Sequence, residues 1–381
     1  MAMVKKLFPL FLFMILASCS DGVGGLIFSS SSDGGITNNT NSNNNTLNNN
    51  NANDILNNSN NDGMVGCDPK NFSLKASPPA EVYLVIDSSG SMLEDGATPG
   101  LSRWEEVISA VDTALTQFEG SVKFGLLIYP VNDQCETAGP VVSFGLNNRD
   151  EILYHLINTV PQGGTPTAAA IKNAASSLDD FGDPASPKFI ILATDGGPNC
   201  NYFVDASSGC SCTYASPEYC CTNYPASCIF GYSCLDDTNS LSVITSMSND
   251  KGIDTFVIGL SGTSEYVNLL NEMAVAGGQA QQGAPTQYYS AENESELSTA
   301  LQTIAVSVIS CVIELDEPPQ FPNYVHVYMD GGEVPRDGTK TDGWDFNSAE
   351  MTSIELYGQA CDSLRDGVQH NLTATFACIV D

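Results

Sequence analysis

Four short apolar runs restrict this chain to a narrow set of folds: Tyr83–Ile86, Phe124–Tyr129, Phe189–Ala193 and Thr255–Gly259. They are largely continuous rather than alternating, so each reads as a strand buried on both faces. Helical stretches separate them. Ser102 and Glu105 form an S-x-x-E capping box, and Trp104, Val107, Ile108, Val111 and Leu115 then follow a 3.6-residue period. Similar helices are readable at about Arg149–Thr159, Thr167–Phe181, Ser240–Asn249, Glu265–Ala276 and Glu294–Ser310. Strands alternating with helices predict an α/β class with a doubly wound, mostly parallel sheet. Ligands of such sheets sit beyond the carboxyl ends of the strands.

The first strand runs into Asp87-Ser88-Ser89-Gly90-Ser91, a loop that offers a carboxylate and two hydroxyls on alternate positions. Hard oxygen donors suit Mg²⁺ or a similar cation rather than zinc or copper. A strand terminator followed by two turn-capping serines would carry the same letters. The pattern D-x-S-x-S after a buried strand resembles the metal-ion-dependent adhesion site of von Willebrand factor type A domains. Two more segments resemble the family in the right order. Gln162-Gly163-Gly164-Thr165-Pro166-Thr167 precedes an Ala-rich helical run, and Lys188 to Asp195 is a buried strand ending in Thr-Asp and followed by Gly196 and Gly197.

The resemblance implies a site for Mg²⁺ (or Mn²⁺ or Ca²⁺) made by Asp87, Ser89, Ser91, Thr165 and Asp195. Ser89 and Ser91 would coordinate through their hydroxyls, Thr165 directly when the site is engaged, and the two aspartates directly or through water. A shell with few charged ligands leaves the cation electron-poor, suited to a carboxylate from a protein partner. The resemblance covers roughly Pro78 to Cys311.

The first residues have the form of an export signal, with Lys5 and Lys6 before the apolar run Leu7 to Leu16. Ten apolar residues are too few to span a bilayer. Leu16-Ala17-Ser18-Cys19 resembles a bacterial lipobox, which implies a signal peptide over 1–18 and lipidation of Cys19. Ser20, rather than Asp, next to the lipidated Cys implies the outer membrane by analogy with enteric lipoproteins. Residues 19–66 then read as a flexible tether: fifteen of the 24 residues from Asn38 to Asn61 are Asn. Such a stretch cannot repay its ordering entropy, and some fifty residues of it would reach roughly 40 Å.

Twelve cysteines remain beyond Cys19, an even count that in an exported chain predicts disulfides. Seven crowd into Cys200–Cys234; seven is odd, so at least one member pairs outside the cluster or stays free. Their spacing matches no paired C-x-x-C zinc site. This Cys-rich insertion, residues 198–237, follows Asp195 closely and carries Tyr202, Tyr214, Tyr219, Tyr224 and Tyr232. Rigid aromatic side chains on a stapled loop make good contact surfaces, so these tyrosines are candidates for partner binding; they serve equally as the loop's own small core. A formal charge of −32 argues against nucleic acid or bare anionic membrane as partners, leaving the lipid as the membrane contact.

Residues 67–311 are thus expected to form the α/β domain. Residues 312–381 change character and read as a small disulfide-linked β appendage, with a turn at Asp330-Gly331-Gly332 and a candidate Cys361–Cys378 staple. No nucleophile elbow or H-E-x-x-H motif is present, and His155, His326 and His370 fall in unrelated segments, so no enzyme is expected. The leading function is an envelope-anchored, metal-dependent protein-binding or adhesion module. The alternatives are a structural lipoprotein whose metal site stabilises the fold, and an accessory subunit of an enzyme.

Overall fold

The computed structural model describes residues 70–72, 74–132, 135–201, 203–204, 211–213, 233–368 and 370–376. The expected export signal, Cys19, the Asn-rich stretch read as a tether and Cys378 lie outside the described residues. In chain order the elements are β1 (Lys70–Phe72), β2 (Leu74–Ala76), β3 (Glu81–Asp87), α1 (Arg103–Phe118), β4 (Lys123–Tyr129), β5 (Val142–Gly145) and α2 (Arg149–Ile157). There follow α3 (Thr167–Phe181), β6 (Lys188–Thr194), α4 (Asp237–Lys251), β7 (Ile253–Leu260), α5 (Val267–Ala276), β8 (Tyr289–Ala291) and α6 (Glu294–Val308). The remainder is β9 (Val312–Leu315), β10 (Val325–Met329), β11 (Gly332–Val334), β12 (Gly343–Phe346), β13 (Ser353–Tyr357), α7 (Gly358–Leu364) and β14 (Leu372–Phe376).

A six-stranded sheet in the order β5-β4-β3-β6-β7-β8 holds the α/β domain together. Every pairing in it is parallel except β4 with β5. Successive side chains of a strand point to opposite faces, so β3 feeds two cores at once. Val82, Leu84 and Ile86 pack with Trp104, Val111 and Leu115 of α1 and with Leu301 and Ile304 of α6. Tyr83 and Val85 face the other way, against Ile171 and Leu178 of α3, Ile244 of α4 and Met273 of α5. Each such aliphatic chain contributes about 1.5–3 kcal/mol by leaving water, which is why continuous apolar runs were needed here. The fold class expected from the sequence is the one observed.

Local signals set the helix ends. Glu105 N–H donates to Ser102 Oγ (3.3 Å) while Glu105 Oε2 accepts from Ser102 N–H (2.8 Å), completing the capping box of α1. α4 ends at Gly252, whose φ of +64° closes the helix in the left-handed region.

The β region corrects two expectations. Its two four-stranded sheets, β1-β14-β10-β11 and β12-β13-β9-β2, both recruit a strand from before the α/β domain. β1 pairs antiparallel with β14 and β2 with β9, so residues 70–76 belong with 312–376 rather than with the sheet that follows them. A three-residue strand carries too little pattern to announce its partner. The second correction concerns Cys361: its disulfide partner is Cys311, not Cys378, which ties the start of β9 to α7. Ile313, Val327, Trp344, Phe346, Ile354 and Leu356 form this region's core. It meets the amino-terminal end of the α/β sheet, where Arg365 Nε donates to Ile309 O (2.9 Å) beside a groove lined by Pro187 and Phe189.

Candidate metal centre

Asp87 ends β3 in the middle of the sheet and is wholly buried. Its Oδ1 accepts the Ser89 N–H (2.8 Å) and its Oδ2 accepts the Thr194 hydroxyl (2.6 Å) from the end of neighbouring β6. The loop then turns Ser89 and Ser91 together, with hydroxyls 3.1 Å apart. Ser91 Oγ donates onward to Asp195 Oδ1 (2.9 Å). Asp87, Ser89, Ser91 and Asp195, drawn from two adjacent strand ends, therefore lie along one chain of hydrogen bonds.

Thr165 arrives on the loop before α3, which is stitched to the Asp87 loop by backbone bonds. Gly90 N–H donates to Gly163 O (3.1 Å) and Gln162 N–H to Ser88 O (2.7 Å). Asn199 grips Thr165 from the other side: its Oδ1 accepts the Thr165 N–H (2.7 Å), and its own N–H donates to Thr165 O (2.9 Å). A Cβ on Gly164 would strike Cys200 Sγ and stand 2.7 Å from Asn199 Oδ1, so only glycine lets these loops close. Cys200 is bonded to Cys135, which answers the odd count in the cysteine cluster and pins the loop after β6 to the one after β4.

Burial, and after it the charge of Asp195, push Asp87 up to about 7. Asp195 is also raised by burial, an effect opposed by hydrogen bonds from Arg103 and Ser91. Tyr129, beneath the site, is pushed well up by burial and then by the Asp87 charge. Asp87 thus sits out of water with neutral donors for partners among the described residues, a costly place for a carboxylate that lacks a counter-ion. Two carboxylates with hydroxyls at hand make a hard, oxygen-only donor set that fits Mg²⁺, Mn²⁺ or Ca²⁺. Among the described residues no three His, Cys, Asp or Glu side chains gather as a conventional cage; the donors here are mainly neutral.

Sequence reasoning missed Arg103 and Asn199. Arg103 Nη1 donates to Asp195 Oδ2 (2.7 Å) and to Ser91 O (3.3 Å), and Nη2 lies 3.2 Å from Glu94 Oε2. One signal was available: a cation in the first turn of a helix opposes the macrodipole and asks for a reason. Asn199 offered none. Tyr202, Tyr214, Tyr219, Tyr224 and Tyr232 lie outside the described residues. The base of their insertion does reach the site, because Asn199 Nδ2 donates to Thr213 Oγ1 (3.0 Å) and Thr213 N–H donates to Ser233 O (3.0 Å).

Comparison with known proteins bears on the family and the fold. Uncharacterized protein YwmC of Bacillus subtilis (strain 168) is 35% identical over 135 residues, 33% of this chain and 58% of that protein. The chain thus spans less than two thirds of the length of this curated relative. Among solved structures, the pilus adhesin SpaC of Lactobacillus rhamnosus GG is similar at 16% identity and a TM-score of 0.45, over 79% of this chain and 40% of that one. The vWF domain of the type V pili tip protein Mfa5 from Porphyromonas gingivalis is similar at 15% identity and a TM-score of 0.41, over 62% and 96%. These structural likenesses concern the fold alone. The von Willebrand factor type A domain family matches residues 81–303, more than half of the sequence. The chain belongs to the von Willebrand factor type A domain family.

Proposed function

We propose that this protein is a bacterial envelope module that binds a protein ligand through a divalent cation, anchored to the outer membrane by lipid on Cys19. Asp87, Ser89, Ser91, Thr165 and Asp195 are the residues that would hold the ion. Bound there, it supplies an electron-poor position for a partner's carboxylate. The chain's own residues do the rest: Thr194 and the Ser89 amide orient Asp87, Ser91 orients Asp195, and Asn199 holds the Thr165 backbone. The observation that carries this reading is the buried Asp87 carboxylate, linked through two serines to a second buried carboxylate. The reading is of recognition: the Ser91 hydroxyl is engaged with Asp195 as part of the donor set.

A pull-down from envelope and extracellular-matrix extracts tests it, using the oxidised protein with Mg²⁺, with EDTA, and as Asp195→Ala. A partner retained only by the wild type with metal supports metal-dependent adhesion. A partner retained in all three moves recognition to the Cys-rich insertion or the β region. Metal binding without any partner leaves an ion that only stabilises the fold.

A further inference from the structure

Arg103 is built into the site rather than laid over it. The loop from Glu94 returns to the start of α1 through the Arg103 N–H to Glu94 O bond (3.1 Å) and a bridge between Asp95 and Ser102. This aims the guanidinium at Asp195, with only 12% of the side chain exposed. Gly262, at φ +107°, leaves the space: a Cβ there would stand 2.9 Å from Arg103 Cζ and 2.9 Å from Asp195 O. Arg103 takes Oδ2 of Asp195 while Ser91 takes Oδ1, so the cation and the serine side of the site divide one carboxylate.

We propose that Arg103 is a resident cation that limits how tightly the site holds its divalent ion and leaves that ion under-neutralised, ready for an outside carboxylate. The proposal rests on the metal reading above. Asp87 and Asp195 supply two negative charges, enough to balance a divalent ion. Arg103 consumes part of that balance. Glu94, the other partner of the guanidinium, is 66% exposed and restores only part of it through water. A ligand carboxylate then completes the neutralisation that the chain leaves undone.

Titration calorimetry with Mg²⁺ and with Mn²⁺ tests this on the oxidised protein, as wild type, Arg103→Gln, Arg103→Lys and Glu94→Gln. A unit charge one carboxylate away from a divalent ion weakens its binding about tenfold even at water-like screening. Arg103→Gln should therefore bind metal about tenfold more tightly, Arg103→Lys should stay near wild type, and Glu94→Gln should bind about threefold more weakly. An Arg103 that merely props Asp195 in place predicts the reverse, a weaker site on its removal; equal or weaker binding by Arg103→Gln overturns the proposal. Should that variant fail to fold, the surface change Glu94→Gln decides, and unchanged affinity there overturns it. Absence of metal binding in wild type, Arg103→Gln and Glu94→Gln alike overturns the metal reading itself.

Discussion

Asn199 and Thr165 exchange two hydrogen bonds, 2.7 and 2.9 Å long, so a residue of the Cys-rich segment fixes both backbone groups of a candidate metal ligand. Asn199→Ala removes one of the two and strands the Thr165 N–H in a buried position. Denaturant unfolding should show a loss of about 1–3 kcal/mol, accompanied by weaker Mg²⁺ binding. Full metal affinity in that variant would mean Thr165 needs no such hold.

Gly164 and Gly196 make a controlled pair. A Cβ on Gly164 runs into Cys200 Sγ, whereas one on Gly196 meets nothing within 4 Å. Gly164→Ala should cost about 1–3 kcal/mol, as overpacking does, and Gly196→Ala should be close to neutral. Thermal melts of the two variants side by side check the contrast.

The Cys135–Cys200 disulfide closes a loop of 65 residues. Replacing Cys135 by Ser should lower stability by about 2–4 kcal/mol, measured by urea unfolding under non-reducing conditions. It should also loosen the Gly164–Thr165 loop, seen as faster amide exchange there.

Asp87→Ala should erase the rise in melting temperature that Mg²⁺ gives the wild type. A ligand present at a hundred times its Kd stabilises by about 2.7 kcal/mol, a shift that differential scanning calorimetry resolves. A variant still stabilised by Mg²⁺ would place the ion elsewhere.

His370 gives the pH dependence. Its Nδ1 lies 2.6 Å from Asp330 Oδ2 and its Nε2 3.3 Å from Asp366. The Asp330 bond first, and Asp366 after it, raise the imidazole above its ordinary value. The folded state therefore binds this proton more tightly than the unfolded chain does. Its contribution to stability is complete below about pH 6.5 and is lost as pH rises through the higher folded value. Urea midpoints from pH 5 to 9 should show wild type losing its advantage over His370→Gln in that window; parallel curves would remove His370 from the account.

The α/β sheet was legible because its strands are long enough to show continuous burial and its helices long enough to show a period. Asp87, Ser89, Ser91 and Asp195 were legible as a group because they occupy the ends of two such strands, which the parallel sheet sets side by side. Arg103 was not, since its reach to Asp195 spans 92 positions and depends on how the Glu94 loop folds back. β1 and β2 were not, because three residues each carry no period. The partner of Cys361 was not, because cysteine spacing does not encode pairing.

β2 and β9 are the strands by which the chain enters and leaves the α/β domain, and they are hydrogen-bonded neighbours, Leu74 beside Leu315 and Ala76 beside Ile313. Ser77 Oγ adds a bond to Val312 O (2.6 Å) at the crossing itself. The domain is therefore held as a loop whose two ends are fastened to each other. A load drawn from the Asp87 end of the sheet runs down its strands into that doorway, and peeling the domain away requires both doorposts to part.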